Sequence, residues 1–277
     1  MKPLVEVLTA TTEWFRARGI PSARLDAELI IGHVLGLDRV KVYLNYDRPL
    51  SDIELESVRA LVRRRGAREP MAWITEEKEF CGHPFTVRPG TLVPRPDTET
   101  LVEVAIARFD GDPLHVADVG CGTGTIGLTL ALEVPGVRLY ALDLSEEALA
   151  CTRLNVDRHG LKDRVAVRRS DLLSGVPGDR PLHWVVSNPP YIPSAEIGTL
   201  APEVQLEPRL ALDGGADGLA VYRRLVPEAA RRAERGLIVE VGKGQAPEVR
   251  ALMEQAGLTV TVHLDLAGVE RVVTGTR

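Results

Sequence analysis

Asp118-Val119-Gly120-Cys121-Gly122-Thr123-Gly124 joins a run of apolar residues to a segment with helical periodicity. The apolar run, residues 114–119, predicts a buried strand, and residues 125–133 are predicted to form a helix. Glycines at such a junction permit positive φ angles and carry no Cβ, so a ligand can lie against the backbone. In open α/β sheets, ligands bind outside the carboxyl ends of the strands, where helix N-terminal N–H groups point at them. The segment therefore predicts an α/β fold with a ligand site at its glycine loop.

Strand and helix patterns continue to alternate beyond this loop. The predicted strands are residues 114–119, 137–143, 164–169, 183–187, 236–241, 258–264 and 269–275. The predicted helices are residues 98–109, 125–133, 146–159, 220–233 and 246–256. Alternation of this kind predicts a parallel sheet covered on both faces, to which the final hairpin adds an antiparallel edge strand. We therefore predict a mixed seven-stranded sheet.

The first part of the chain, residues 1–75, is predicted to form a separate helical domain. One helix is predicted to begin at Pro21-Ser22 and to end at Gly36, with one face formed by Leu25, Leu29, Ile30 and Val34. Ser51-Asp-Ile-Glu54 is a capping-box pattern, which predicts a further helix from Asp52 to about Arg65. This domain contains no chemical motif, so we expect it to hold a partner. Residues 76–93 are predicted to form a hairpin linker with Gly82 and Pro84 at its turn, and residues 94–277 the second domain.

Composition and charge restrict the possible functions. The net charge of -5 argues against a dedicated nucleic-acid binder, so no stable nucleic-acid binding is expected. The first 75 residues nevertheless carry 12 Lys and Arg against 10 Asp and Glu, and a basic cluster is formed by Arg63, Arg64, Arg65 and Arg68. This cluster is either a solvated helix face or a docking patch for an acidic or RNA-associated partner.

Other features of the composition concern metals and membranes. The three cysteines are widely spaced and form no CxxC pair, which argues against a disulfide framework and against a zinc site, so we expect no metal. The amino terminus lacks the apolar core of a signal peptide, and no apolar run approaches the roughly 20 residues that span a bilayer. We therefore expect a cytoplasmic protein without a membrane partner.

Carboxylates after the next two strands are candidates for binding a nucleoside. Asp143 ends the second strand, where a carboxylate can accept both ribose hydroxyls; the alternative is that it caps the following helix, although Ser145 is better placed to do so. Asp171 could meet an adenine amino group, and Leu172 could pack on the ring. A role for Asp171 in capping its loop stays open.

The same loop also fits a dinucleotide-binding pattern. Gly122-Thr-Gly124-Thr-Ile-Gly127 matches GxGxxG, and Asp143 follows about 20 residues later. Asp118 argues against a dehydrogenase, because a cationic amino-acid ligand can use this carboxylate better than a pyrophosphate can. The motif after the fourth strand argues against it as well, because hydride transfer does not need that motif.

That motif is Asn188-Pro189-Pro190-Tyr191. Two prolines directly after a buried strand end its pairing and restrict Asn188 to an extended conformation. The result is a rigid corner with two convergent acceptors, the Asn188 side-chain oxygen and the Pro189 carbonyl, which suit an NH2 group. An amide nitrogen is a poor nucleophile because its lone pair is delocalised, and holding both N–H bonds favours a more nucleophilic geometry. We predict Asn188, Pro189 and Tyr191 as catalytic residues, with Pro190 also contacting the substrate.

These motifs resemble the release-factor glutamine methyltransferases of the HemK/PrmC family. The resemblance covers nearly the whole chain and includes four further segments: Pro94-Arg-Pro-Asp-Thr-Glu99, Glu207-Pro-Arg-Leu-Ala-Leu-Asp-Gly-Gly215, Asp217-Gly-Leu219 and Asp265-Leu-Ala-Gly-Val-Glu-Arg271. The NPPY motif alone is shared with adenine-N6 methyltransferases, whereas the first two of these segments are more selective. The resemblance implies a class I, Rossmann-like methyltransferase domain behind an N-terminal helical bundle.

The resemblance also implies an activity and a partner. The expected reaction transfers a methyl group from S-adenosylmethionine to the N5 of the glutamine in the Gly-Gly-Gln motif of peptide-chain release factors. By position, the cofactor would contact Gly120, Cys121, Gly122, Thr123, Gly124, Asp143 and Leu172, with Asn188 near the methyl donor. Asp171 is added to this set because of its place after the third strand. The glutamine would contact Asn188–Tyr191, and the Tyr191 ring offers a cation–π contact to the sulfonium. Two alternatives remain, a DNA or RNA amino-group methyltransferase and a non-catalytic binding module.

Overall fold

The computed structural model describes residues 2–110 and 113–277, which divide into two compact units. The first unit comprises the described residues up to Glu77 together with Pro202–Leu206. The second comprises the described residues of Lys78–Ala201 and Glu207–Arg277. No local pattern in the sequence indicates that Pro202–Leu206 belongs with the amino-terminal residues. Within the described ranges, no helix is long and apolar enough to cross a membrane.

The first unit is built mainly from helices around an apolar core. Its elements before residue 77 are β1 (Lys2–Pro3), α1 (Leu4–Arg16), α2 (Ala23–Leu35), α3 (Arg39–Leu44), β2 (Pro49–Leu50), α4 (Asp52–Gly66) and α5 (Met71–Thr75). The predicted capping box is confirmed, because Ser51 Oγ accepts from the Glu54 N–H and the Glu54 carboxylate accepts from the Ser51 N–H. Gly36 ends α2 in the left-handed conformation, as expected.

The buried face of α2 differs from the predicted apolar face. Leu25 is 40% exposed, whereas Asp26 and Glu28 are buried on the same helix as Ile30 and Ile31. The buried carboxylates have cationic partners, since Asp26 accepts from Arg65 Nε at 2.7 Å. Glu28 pairs with Arg24 and Arg39. Apolar periodicity alone therefore misidentified the face, because two buried carboxylates paired with arginines occupy part of it.

The four arginines of the basic cluster, three on α4 and Arg68 just after it, have ion-pair partners within the first unit. Each arginine pairs with a carboxylate, in the pairs Arg63–Glu56, Arg64–Glu69, Arg65–Asp26, Arg65–Glu203 and Arg68–Glu203. Arg65 is buried rather than solvated. Glu203 lies in the segment Pro202–Leu206, so two of these ion pairs attach that segment to the unit. Arg65 is therefore an internal structural residue, whereas Arg63 remains exposed and pairs with a carboxylate at the surface.

The second unit contains the predicted alternation of strands and helices. Its strands are β3 (Glu77–Phe80), β4 (His83–Thr86), β5 (Leu114–Val119), β6 (Val137–Asp143), β7 (Val165–Arg169), β8 (Trp184–Ser187), β9 (Gly236–Glu240), β10 (Thr259–Leu264) and β11 (Glu270–Thr276). Its helices are α6 (Glu99–Ile106), α7 (Thr125–Glu133), α8 (Glu146–Arg158), α10 (Arg209–Leu212), α11 (Ala220–Arg232) and α12 (Ala246–Gln255), while α9 (Pro202–Gln205) belongs to the first unit. Short 3-10 helices occur at Pro96–Thr98 and Ile197–Thr199.

Seven strands form one mixed sheet in the order β10-β11-β9-β8-β5-β6-β7, which confirms the predicted seven-stranded α/β fold. β5 to β9 run parallel, and apolar clusters cover both faces of the sheet. One detail of the prediction is wrong: the antiparallel strand β11 lies inside the sheet between β9 and β10, and β10 forms the edge. The final hairpin therefore inserts its second strand next to β9, a choice that local sequence does not reveal.

β3 and β4 form the hairpin that was expected in this region. Its turn contains Cys81 and Gly82, both with positive φ, whereas Pro84 lies inside β4 rather than at the turn. Proline is tolerated in a two-stranded hairpin because its missing N–H can face away from the partner strand.

The pairing of β5 with β8 determines where the site forms. Val119 and Ser187 are partners at the carboxyl ends of these strands, and Ser187 Oγ donates to the Val119 carbonyl at 2.7 Å. The chain order reverses at this point of the sheet, since β6 lies on one side of β5 and β8 on the other. Ligands bind at such a switch point in open α/β sheets. The glycine loop and Asn188 therefore start from adjacent strand ends.

Candidate active site

A cavity opens at the carboxyl ends of the central strands in the second unit. It encloses about 1130 Å³, including the part that is open to solvent, a size that suits a nucleoside-sized ligand. Most of the residues that were predicted to bind cofactor or substrate line it: Gly120, Cys121, Gly122, Thr123, Asp143, Asp171, Leu172, Asn188, Pro189 and Pro190. Gly124 and Tyr191 were also predicted, and they do not line the cavity. The fold thus brings ten of the twelve predicted residues into one wall.

The glycine loop is held by hydrogen bonds within the protein. The Gly120 and Cys121 N–H groups both donate to the Leu142 carbonyl, at 2.8 and 3.0 Å, and the Gly122 N–H donates to Asp143 at 2.9 Å. These three N–H groups are therefore not available to a ligand. A Cβ added at Gly120 or Gly122 would meet no heavy atom within 4 Å. From Gly120 to Gly122 the loop therefore provides an open backbone surface rather than N–H donors.

Asp118 does not line the cavity, and its side chain instead binds the backbone at the start of α7. Its side chain is fully buried, and Oδ2 accepts from the Gly127 N–H at 2.9 Å. Burial raises the pKa of the Asp118 carboxyl to about 7. A Cβ on Gly127 would lie 2.9 Å from Asp118 Oδ2, so glycine is required for this close approach of α7 to β5. The suggestion that a cationic ligand uses Asp118 directly is not supported by this position.

Asp143 binds the backbone of the glycine loop and of Ser145, and it does not cap α8. Its Oδ2 accepts from the Gly122 N–H and its Oδ1 from the Ser145 N–H, each at 2.9 Å. Ser145 Oγ in turn accepts from the Ala148 N–H, so Ser145 is the N-cap of α8, as predicted. Each carboxylate oxygen has a second lone pair, and Asp143 lines the cavity, so it can still accept from ribose hydroxyls. Burial raises the pKa of Asp143.

Asp171 and Leu172 lie at another part of the wall. Asp171 is half exposed and accepts from Arg224 Nη2 at 2.6 Å, a pair that a ligand amino group would have to share. Leu172 is buried and has a φ of 49°, a conformation that is strained for a side chain with a Cβ. The Ser170 hydroxyl donates to the Leu172 carbonyl at 2.6 Å and stabilises this conformation. The apolar Leu172 side chain is thereby directed into the cavity wall.

The orientation of the Asn188 amide is set by a residue that the sequence analysis did not assign to the site. Asn188 Nδ2 donates to Thr98 Oγ1 at 3.2 Å. Thr98 is buried and ends the 3-10 helix Pro96–Thr98, which belongs to the selective Pro94–Glu99 segment. With Nδ2 bound to Thr98, Asn188 Oδ1 is left as the acceptor for a ligand. The geometry thus supports the predicted role of Asn188. It also gives the Pro94–Glu99 segment a role, because its Thr98 orients the Asn188 amide.

Tyr191 packs behind the corner rather than on the cavity surface. Its hydroxyl donates to Glu240 Oε1 at 3.4 Å, and its carbonyl accepts from Gln245 Nε2 at 2.9 Å. A Cβ on Gly242 would lie 3.0 Å from Tyr191 Cδ2, so the ring packs closely against the chain after β9. Burial raises the pKa of Tyr191 to about 12, which keeps the hydroxyl protonated and able to donate.

Arg95 and Glu207 connect two of the selective segments. Glu207 is buried and accepts from Arg95 Nη2 at 2.6 Å and from the Val93 N–H at 3.2 Å. Arg95 lines the cavity, so this ion pair holds a cationic side chain at its wall. The two residues are 112 positions apart, and sequence reasoning gave neither of them a role.

Within the described ranges, no group of three or more His, Cys, Asp and Glu residues is arranged to hold a metal ion. All three cysteines are free thiols, with Cys121 and Cys151 buried and Cys81 half-buried.

Comparison with known proteins connects this geometry to a family. Residues 6–75 match the PrmC N-terminal domain and residues 97–204 match the methyltransferase small domain. The release factor glutamine methyltransferase of Geobacter sulfurreducens is 40% identical over 282 residues, which cover 99% of this chain and 98% of that protein. The one from Bradyrhizobium diazoefficiens is 42% identical over 268 residues, covering 94% and 90%.

A solved structure with a similar fold is the hMettl16 catalytic domain in complex with MAT2A 3′UTR hairpin 6. It superposes with a TM-score of 0.58 at 16% identity and covers 76% of this chain and 80% of that chain. At this identity the likeness concerns the fold alone, and it confirms the predicted Rossmann-like methyltransferase architecture. The match to the curated relatives covers 94–99% of this chain and therefore extends over both units. The chain belongs to the release factor glutamine methyltransferase family.

Proposed function

We propose that this protein transfers the methyl group of S-adenosylmethionine to the N5 amide nitrogen of the glutamine in the Gly-Gly-Gln motif of peptide-chain release factors. The observation that carries this proposal is the Asn188 amide, whose nitrogen is bound to Thr98 so that its oxygen is available at the cavity. An oxygen acceptor at this position suits an acceptor group that brings N–H bonds. Membership of the family supports the identity of that group as a glutamine amide.

The residues of the cavity fit S-adenosylmethionine. Gly120 and Gly122 leave open space where any other residue would place a Cβ, so a ligand can lie against the loop. We assign Gly120–Gly124 to the methionine part of the cofactor, Asp143 to the ribose hydroxyls, and Asp171 with Leu172 to the adenine. In this assignment Gly124 acts indirectly, because its φ of 84° forms the turn into α7. When bound, the cofactor supplies an electrophilic methyl group on a sulfonium.

The protein's part in the reaction is to hold and orient the acceptor amide. Asn188 Oδ1 and the Pro189 carbonyl accept hydrogen bonds from the two N–H groups of the substrate amide. The two prolines keep these acceptors rigid. Holding a reactant in a near-attack geometry can supply up to about 7–11 kcal/mol of the barrier. Tyr191 acts from behind, by fixing the corner through its hydrogen bond to Glu240. We propose Asn188 and Pro189 as the groups that touch the acceptor, with Pro190 beside them.

The amino-terminal domain, residues 1–75, is proposed to bind the release factor, with residues 76–93 as its linker to the methyltransferase domain. The net charge of -5 supports the expectation that nucleic acid is not a stable partner. Because release factors act during translation, we expect the protein to work in the cytoplasm.

The test is methyl transfer from labelled S-adenosylmethionine in a mixture of a release factor, DNA and RNA, with the labelled residue located by mass spectrometry. We expect label on the Gly-Gly-Gln glutamine only. The matched control is a release factor that carries glutamate in place of that glutamine, which has the same shape but no NH2 group and should stay unlabelled. Label on nucleic acid, or cofactor binding without transfer to any acceptor, would refute the proposal.

A further inference from the structure

Arg95 is a cationic side chain of the cavity wall that is anchored from inside the protein. Its Nη2 donates to Glu207 Oε1 at 2.6 Å. The Glu207 side chain is 1% exposed, and its other oxygen accepts from the Val93 N–H at 3.2 Å. The Arg95 side chain is 34% exposed. Glu207 therefore holds one end of the guanidinium and leaves the rest of it accessible from the cavity.

Arg95 has more hydrogen-bond donors than Glu207 uses. A guanidinium carries five N–H donors in a planar fork and keeps its positive charge at all physiological pH values. Among the described residues, Glu207 Oε1 is the one acceptor that bonds to this fork. Two parallel N–H groups of an arginine match the two oxygens of a carboxylate. Arg95 thus presents unused donors, already fixed in position, to an anionic group in the cavity.

The methionine part of S-adenosylmethionine carries a carboxylate, which needs donors when it is bound. The glycine loop is a poor source of them, because the N–H groups of Gly120, Cys121, Gly122 and Gly124 all donate to acceptors within the protein. A carboxylate that leaves water without a partner is costly. A cationic side chain of the cavity wall is therefore the natural partner for this group.

The order of the wall residues decides which cation this is. The described lining contains two cationic side chains, Arg95 and Arg224. Arg224 donates to Asp171 at 2.6 Å and so lies at the part of the wall that we assign to the adenine. Arg95 comes three residues before Thr98, which binds Asn188 at the proposed methyl-transfer corner. Because the adenosine and the methionine are attached on different sides of the sulfonium, the carboxylate belongs at the Arg95 end.

We propose that Arg95 binds the carboxylate of the methionine part of S-adenosylmethionine, and that Glu207 is the residue that positions its guanidinium. The inference rests on the proposed function, since it takes S-adenosylmethionine as the methyl donor. Because Glu207 already holds one nitrogen, little side-chain freedom is lost when the carboxylate binds. The proposal also gives a joint role to two selective segments: Pro94–Glu99 supplies the arginine, and Glu207–Gly215 supplies the acid that fixes it.

The test compares two ligands by calorimetric titration: S-adenosylmethionine and decarboxylated S-adenosylmethionine, which keeps the adenosine, the sulfonium and the methyl group. We expect the wild-type protein to bind the complete cofactor on the order of 10–100-fold more tightly, as for hydrogen bonds to a charged group. In Arg95→Gln, which removes the charge and the fork, this preference should shrink to about threefold or less. Arg95→Lys keeps the charge without the fork and should retain part of the preference.

The matched control is Arg224→Gln, which removes the other cationic side chain of the wall and leaves the pair of Arg95 and Glu207 in place. This variant should keep the wild-type preference for the carboxylate. An equal loss of affinity for both ligands in Arg95→Gln would show that the arginine only supports the wall, and it would overturn the inference.

The wild-type protein alone separates this inference from the proposed function. Equal Kd values for the two ligands, together with label on the release factor, would refute the role of Arg95 and leave the proposed function standing. Failure of both ligands to bind would refute the proposed function, and the inference with it.

Discussion

Replacing Gly122 by alanine separates the conformational role of the glycine loop from its contact with a ligand. Gly122 has a φ of +58°, and an added Cβ would meet no heavy atom within 4 Å. Gly160, after α8, has a φ of +66° and equally open surroundings, but it does not line the cavity. The two alanine variants therefore share the backbone penalty and differ in whether the new methyl group enters the cavity.

The expected magnitudes follow from this difference. An alanine in the left-handed region costs about 1–2 kcal/mol, so both variants should lose about that much free energy of unfolding. For a chain of this size the loss corresponds to a decrease in Tm of roughly 2–8 °C. In Gly122→Ala alone, the methyl group also takes space next to the proposed cofactor. Each loss of about 1.4 kcal/mol weakens binding tenfold, and we expect at least about that effect on the Kd of S-adenosylmethionine.

The assay combines thermal unfolding with calorimetric titration of S-adenosylmethionine for both variants. Similar decreases in Tm together with a weaker Kd in Gly122→Ala only would support the assignment of the loop to the cofactor. Equal cofactor affinity in the two variants would refute it, because the methyl group at position 122 would then be outside the bound ligand.

Three further substitutions test other parts of the structure. Tyr191→Phe leaves the buried Glu240 carboxyl without the hydroxyl that donates to its Oε1 and should lower the free energy of unfolding by about 1–3 kcal/mol, whereas an unchanged unfolding midpoint would contradict a role for this hydrogen bond. Gly127→Ala places a Cβ 2.7 Å from Leu139 Cδ2 and 2.9 Å from Asp118 Oδ2, and should cost about 1–3 kcal/mol in urea unfolding, whereas an unchanged unfolding midpoint would show that α7 can shift freely. Asp118→Asn tests how the free energy of unfolding depends on pH. The pKa of Asp118 is about 7 in the folded state, against about 3.9 in an unfolded chain. The folded state therefore binds the proton of this carboxyl more tightly. This carboxyl therefore makes the free energy of unfolding decrease as pH rises from about 4 to about 7, and Asp118→Asn should flatten that decrease; an equal slope in the variant would contradict the assignment.

Local sequence patterns were sufficient for the elements that carry the glycine loop. β5, β6 and α7 have the bounds that were predicted, because an apolar run, a glycine cluster and a helical period each depend on neighbouring residues. The same patterns failed where tertiary contacts decide. Leu25 is exposed because two buried carboxylates, paired with arginines, occupy part of the inner face of α2. β11 inserts beside β9 although a hairpin could equally have added it at the edge.

The sequence was sufficient to predict the residues that line the candidate site, but not the residues that hold them in place. Asn188 and the glycine loop are visible as motifs, and parallel pairing of their strands brings them together. Thr98 acts on Asn188 from 90 residues away, and Glu240 is a single acid at the end of an apolar strand. The neighbouring residues in the sequence do not show that this acid is buried or that the Tyr191 hydroxyl donates to it. The selective Pro94–Glu99 segment contained the signal for Thr98, but its role could be assigned only after the fold placed it beside Asn188.

The orientation of the Asn188 amide is tested most directly by single-turnover methylation of a release factor by Asn188→Ala and Asn188→Asp. Aspartate keeps an oxygen at the cavity, whereas alanine removes it. We predict that Asn188→Ala slows methyl transfer by about 10²–10³-fold with little change in cofactor affinity, and that Asn188→Asp keeps a clearly faster rate than Asn188→Ala. A wild-type rate in Asn188→Ala, or equal rates in the two variants, would contradict the claim that this oxygen holds the acceptor nitrogen.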